Sequence, residues 1–206
     1  MAEPELDTLI AANIGDLDAA ARYINETLQP TIAKKIDDVW DGFQRANGWV
    51  GESGFDDCEP WLAPPDWRNS EASTEDDVAC YFELGYAEGP AELEPEFWLA
   101  SLVGAGTGTF GLRWIRDASS IRAWRKSVGQ NPDLVAALRS RGFNYEEAKG
   151  SFFLPVRIEQ TALVTALQYE APEQALEPLE EALAVLVEAK PDFDALLAKT
   201  ADTSAT

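Results

Sequence analysis

The sequence contains no histidine, and that absence removes more chemistry than any other feature of its composition. Ser-His and Cys-His nucleophile pairs, His-containing zinc sites and the side chain best suited to proton transfer near neutrality are all excluded. An enzyme built on this chain would have to work with carboxylates, Lys, Arg or Tyr. Cysteine is almost as scarce. Cys58 and Cys80 are too few for a disulfide framework or a four-thiolate metal site, and they read as free thiols of a reducing compartment. The opening "MAEPELDTLI" has no basic region ahead of a continuous apolar run, and no apolar stretch approaches the ~18 residues of a membrane span. These features predict a soluble, cytoplasmic protein that makes no membrane contact. No cofactor or metal is called for.

Bases are also few. Sixteen Lys and Arg face 37 Asp and Glu, for a net charge of −21. The imbalance is segregated along the chain. Residues 52–96 hold 14 acids against Arg68 alone, giving −13, and residues 97–112 carry no charge. Residues 113–157 reverse the sign, with 9 bases and 4 acids. Such a concentration of like charge opposes compaction unless the carboxylates spread into water or meet cations. Those cations could be internal, supplied by Arg113, Arg116, Arg122, Arg125 and Lys126, or could belong to a basic partner.

What is present supports a packed core, because 206 residues with 46% hydrophobic side chains and seven Trp suffice for one sizeable domain. Asp16 can cap a helix carrying Leu17, Ala20, Ala21, Ile24 and Leu28 at helical spacing. Pro30 is expected to interrupt it before a second amphipathic helix with Ile32, Ile36, Val39, Trp40 and Phe43 on one stripe, which predicts a helical hairpin or one kinked helix. Periodicity then vanishes, and residues 51–77 read as a long acidic loop.

Three strands are expected next, in "VACYFELGY", "FWLASLV" and "TFGLRWI", as an antiparallel meander with the middle one buried on both sides. "IRAWRKS", capped by Ser119 or Ser120, and "NPDLVAALRSRG" read as helices. "SFFLPVRI" reads as a strand that Pro155 demotes to an edge or a bulge. Helices follow in "EQTALVTALQY", "PLEEALAVLVEAK" and "PDFDALLAK". The predicted class is α+β in a single domain over 1–200: a helical part at 1–50, the acidic loop at 51–77, a small antiparallel sheet of three to five strands with a helical insertion at 78–157, covering helices at 158–200, and a disordered tail at 201–206.

Three motifs invite a chemical reading. Gly104, Gly106, Gly108 and Gly111 crowd "GAGTGTFG", but a dinucleotide-binding loop must open a helix, whereas Thr107 to Ile115 alternates as a strand does; a glycine-rich turn is the plain reading. Pro132-Asp133 followed by Glu147-Ala148-Lys149 resembles the Pro-Asp…Glu-x-Lys pattern of a large superfamily of metal-dependent nucleases, which would make Asp133 and Glu147 metal ligands and Lys149 an assistant to the attacking water. The local context is helical at Asp133 and lacks an apolar strand before Glu147. "RWIRDASSIRAWRKS" interleaves cations with Trp114 and Trp124, a combination that can bind phosphates and stack bases, although the field of an anionic protein opposes nucleic-acid approach.

The acidic segment carries the function expected here: a non-enzymatic module that occupies a basic, nucleic-acid-handling protein as an inhibitor or immunity-type antagonist would, including by mimicry of nucleic acid. The candidate contacts are Asp56, Asp57, Glu59, Glu71, Glu75, Asp76 and Asp77, with Trp61 and Trp67 as apolar anchors. The alternatives are a carboxylate-based metal-dependent hydrolase and an adaptor whose acidity serves only solubility.

Overall fold

The computed structural model describes residues 3–55, 58–68, 78–87, 96–105, 108–116 and 121–201. Its architecture is α+β, with a six-stranded antiparallel sheet and helices laid against it. The strands are β1 (Val50–Glu52), β2 (Trp61–Ala63), β3 (Cys80–Ala87), β4 (Thr109–Arg116), β5 (Asn144–Glu146) and β6 (Ser151–Pro155), in the spatial order β1-β2-β3-β4-β6-β5.

Alternation along β3 and β4 decides which face is the core. Their register sets Phe82 opposite Trp114 and Leu84 opposite Leu112, and β6 adds Phe152 and Leu154 to the same face. All six are buried. Two long helices cover this surface: α3 (Gln29–Asn47) contributes Ile32, Ile36 and Trp40, and α8 (Glu177–Ala201) contributes Phe193. Phe193 stacks on Trp114 with centroids 4.9 Å apart and meets Phe82, Phe143 and Phe152 edge-on. Aromatic pairs in these geometries each add about 0.5–1.5 kcal/mol beyond area burial.

The N-terminal helical part is present, and Pro30 is accommodated within it. Helices α1 (Glu3–Ala12) and α2 (Ile14–Tyr23) are followed by a π-helical segment, Ile24–Leu28, that runs directly into α3. Proline cannot donate to the carbonyl four residues back, and its ring clashes with that carbonyl in a regular α-helix. Widening the preceding turn avoids the conflict. The Gln29 N–H donates to the Ile24 carbonyl five residues back, so the backbone stays helical. Pro191 likewise leaves α8 unbroken, where two helices were expected. Burial of Ala189, Phe193 and Leu196 on one side and the Lys190–Asp194 ion pair across the proline hold the helix together.

The sheet is assembled differently from a simple meander. "FWLASLV" forms no central strand; Trp98–Leu102 is a short helix, α4, and β3 pairs directly with β4. A short run of continuous apolar residues satisfies a buried helix turn as well as a buried strand, and periodicity does not separate the two. The expected loop at 51–77 contains β1, β2 and a 3-10 turn at Pro65–Trp67. Strand β6 is internal, between β4 and β5, with Pro155 at its last position, so the proline removes no donor from the middle of the strand. The expected helices are found at α5 (Ile121–Gln130), α6 (Pro132–Ser140) and α7 (Gln160–Gln168). Ser119, Ser120 and the tail at 202–206 lie outside the described residues, while Ala201 belongs to α8.

Candidate functional site

Of the candidate contacts, Asp56, Asp57, Glu71, Glu75, Asp76 and Asp77 lie outside the described residues. The residues beside the first pair are well tethered. Asp37 on α3 accepts hydrogen bonds from the Gly54 and Phe55 amides at 2.9 and 3.0 Å, and the Cys58 amide donates to the Gly54 carbonyl at 2.8 Å. The Phe55 ring packs edge-on against Trp98 and Phe110. Glu59 is exposed.

Trp61 and Trp67 sit elsewhere than a surface anchor would. They are 2% and 5% exposed, respectively, and belong to the core. Trp61 packs against Tyr81, while Trp67 contacts Phe82, Trp114 and Phe193. The Trp67 indole N–H donates to Asp194 Oδ1 at 2.7 Å. Lys190 Nζ reaches Asp194 and Asp66 at 2.7 Å each, so this network ties the 3-10 turn to α8. Desolvation pulls the Lys190 pKa down, but the hydrogen bonds and charges of Asp194 and Asp66 outweigh it and leave the group above its ordinary value.

Several cations of the basic block are engaged within the chain itself. Arg113 occupies the face of β4 opposite the core and is 13% exposed at its side chain. It lies 3.7 Å from Glu83 on β3 and 3.3 Å from Glu146 on β5, donates to the Tyr86 carbonyl and stands over the Phe153 ring. Arg116 stacks over Trp124 at 4.8 Å, and Arg125 donates to the Ala148 carbonyl. Arg141 bridges to Glu188 and Asp192 on α8 at 3.2 and 3.1 Å. Trp114 and Trp124 are themselves buried, which leaves neither as a platform for stacking bases.

A cavity of about 300 Å³ opens beside this cluster, lined by Arg113, Arg116, Ile121, Trp124, Lys149 and Ser151 among others. Its lining sets the cations Arg113, Arg116 and Lys149 beside Ser151, whose Oγ donates to the Glu146 carboxylate at 2.8 Å. A larger open groove, about 650 Å³, runs between α3 and the start of α8, with Lys35 and Glu173 paired across it at 3.4 Å.

Comparison with known proteins gives no match: no family model, curated protein or solved structure resembles the chain closely enough to count as a relative.

The nuclease-like pattern is not assembled. Asp133 lies in the first turn of α6, whereas Glu147 and Lys149 fall in the turn between β5 and β6, where the Lys149 and Gly150 amides donate to the Glu146 carbonyl. Among the described residues, no group of three or more His, Cys, Asp or Glu side chains could hold a metal ion. Gly104 and Gly108 lie between α4 and β4 and Gly111 lies within β4, so they open no helix toward a phosphate; Gly106 lies outside the described residues. Among the described residues no helix is long and apolar enough to cross a membrane.

Two features escaped the sequence reading. Strand β5 is three residues long and carries no alternation to detect, yet it supplies Glu146 to Arg113. The pairing of Asp66 with Lys190, 124 residues apart, has no local signal at all.

Proposed function

We propose that the protein is a non-enzymatic, cytoplasmic interaction module that presents the carboxylates of residues 52–96 to a basic partner. It would act as an inhibitor or immunity-type antagonist of a nucleic-acid-handling protein, with carboxylates taking the place of phosphates. The observation that supports this reading most is where the protein spends its cations. Arg113 and Arg141 are committed to Glu83, Glu146, Glu188 and Asp192, and Lys190 to Asp66 and Asp194. Of the acids in 52–96, Glu52, Glu59 and Glu96 are exposed and make no ion pair among the described residues. A field of this sign steers a cationic partner toward the segment and accelerates encounter more than it adds to final affinity.

The test begins with capture of partners from native extract at low salt. Association of the identified partner is then measured against a variant carrying Asn or Gln at Asp56, Asp57, Glu59, Glu71, Glu75, Asp76 and Asp77. The expected result is an on-rate reduced by about tenfold or more and a shallower salt dependence. An unchanged on-rate and affinity would remove the reading.

A further inference from the structure

The first 21 described residues, 3–23, form a helical arm that the body of the protein does not cover. No residue of α2 is buried, and every described side chain of α1 is exposed. Yet Leu6, Leu9, Ile10, Ile14 and Leu17 are all large and apolar, between 41% and 62% exposed. Leu6, Ile10, Asn13, Leu17, Ala20 and Ile24 recur at alternating intervals of four and three residues, with Leu9 and Ile14 flanking them, the spacing of a seam between paired helices rather than of a surface laid on a sheet. Asn13, the single residue between α1 and α2, falls within the seam and donates its side-chain amide to the Leu9 carbonyl at 2.8 Å.

Charge says what would cover it. At 3.6 residues per turn, Glu5 and Asp7 lie about 100° to either side of Leu6 on α1, and Asp16 and Asp18 lie about 100° to either side of Leu17 on α2. The one base of the arm, Arg22, is already bridged to Asp18 at 2.8 Å. A seam with acids along both margins repels a second copy of itself and attracts a helix with Lys or Arg in the corresponding places.

We infer that the arm formed by α1 and α2 is a docking helix for an amphipathic helix of a partner, one whose apolar stripe is flanked by basic residues. The arm and partner pair as in a coiled coil, with Leu6, Ile10, Leu17 and Ile24 in the seam. A helix this short is marginal by itself in water, so pairing also adds to its helicity. The inference does not depend on the carboxylates of 52–96.

The test uses the full-length protein and two synthetic peptides about three heptads long, with the same Leu/Ile seam and either Lys or Glu along its margins. The Lys peptide is expected to bind and to raise the helical signal on mixing, while the Glu peptide binds at least about tenfold more weakly. Ile10→Ser combined with Leu17→Ser leaves the charge untouched and replaces two exposed side chains of the seam. It should weaken the Lys peptide about tenfold or more without shifting the melting temperature. The seven-site Asn/Gln variant of the acidic segment should bind the peptide as wild type does. Equal affinity for both peptides, or indifference to the Ser pair, overturns the inference. So does self-association of the wild type abolished by the Ser pair, which makes a second copy the occupant, or adsorption of the arm to uncharged vesicles in place of the peptide.

Discussion

Asp194 is the residue on which the lower part of the core depends for its polar balance. It accepts from the buried Trp67 indole and from Lys190, which also holds Asp66 and lies 5.9 Å from the Trp67 ring centroid. In Asp194→Ala the indole N–H keeps its burial and loses its acceptor, which costs about 1–3 kcal/mol. Denaturant unfolding of the variant should show that loss, and Trp67→Phe in the same background should recover part of it by removing the orphaned donor. Lys190 adds a pH signature. Because its folded pKa lies above the ordinary lysine value, the stabilisation is complete below about pH 10.4 and fades as pH rises through the folded value. Lys190→Met should therefore be less stable than wild type at neutrality, and the gap should narrow in strongly alkaline buffer. A gap that stays constant up to alkaline unfolding would mean that packing of the lysine stem, not its charge, is what the substitution removes. Burial drives the Cys80 thiol in the same upward direction, and Cys80→Ala in both backgrounds separates the two titrations.

At the scale of elements, the sheet depends on close approach between β4 and β6. A Cβ placed on Gly111 would lie 2.2 Å from the Leu154 carbonyl oxygen and 2.7 Å from the Phe153 ring. Glycine is required there by space, and not for any phosphate. Gly111→Ala must push the strands apart at the pair Gly111–Pro155, beside the Val156 amide that donates to the Phe110 carbonyl at 2.8 Å. The expected cost is about 1–3 kcal/mol, read by thermal unfolding, with earlier amide exchange in β6 than in β3. The run of glycines was legible as a turn leading into a strand because Thr109 to Arg116 alternates; its packing role was not, since Leu154 lies 43 residues further along the chain. The same contrast holds elsewhere. Strands β3 and β4, eight residues each, were long enough to show period two, whereas β1, β2 and β5 have three residues and take their identity from neighbours. Tertiary support also overrode the two helix-breaking prolines, by a π turn at Pro30 and by core packing on both sides of Pro191.

For the whole molecule, the charge distribution was the most legible functional signal and the one least converted into geometry, because nine of the 14 acids in 52–96 fall outside the described residues. The α+β class and the arginine block follow from local pattern. That Arg113 is held by Glu83 and Glu146 follows only from the strand order, which sets β3, β4, β6 and β5 side by side. The net charge of −21 stays unbalanced whatever pairs form inside the chain, and like charges separated by more than a contact distance oppose folding. Screening then has a definite sign. Raising ionic strength from about 0.01 to 0.15 M shortens the Debye length from about 30 to 8 Å, which suppresses distant repulsion while sparing the half-buried Arg113 cluster. The melting temperature should therefore rise over that interval, equally in sodium and potassium chloride. The seven-site Asn/Gln variant should start higher and respond less. A melting temperature that falls with salt would instead mean that attractive surface pairs dominate the balance, and would assign the acids of 52–96 to internal neutralisation, leaving no outward field for a basic partner to meet.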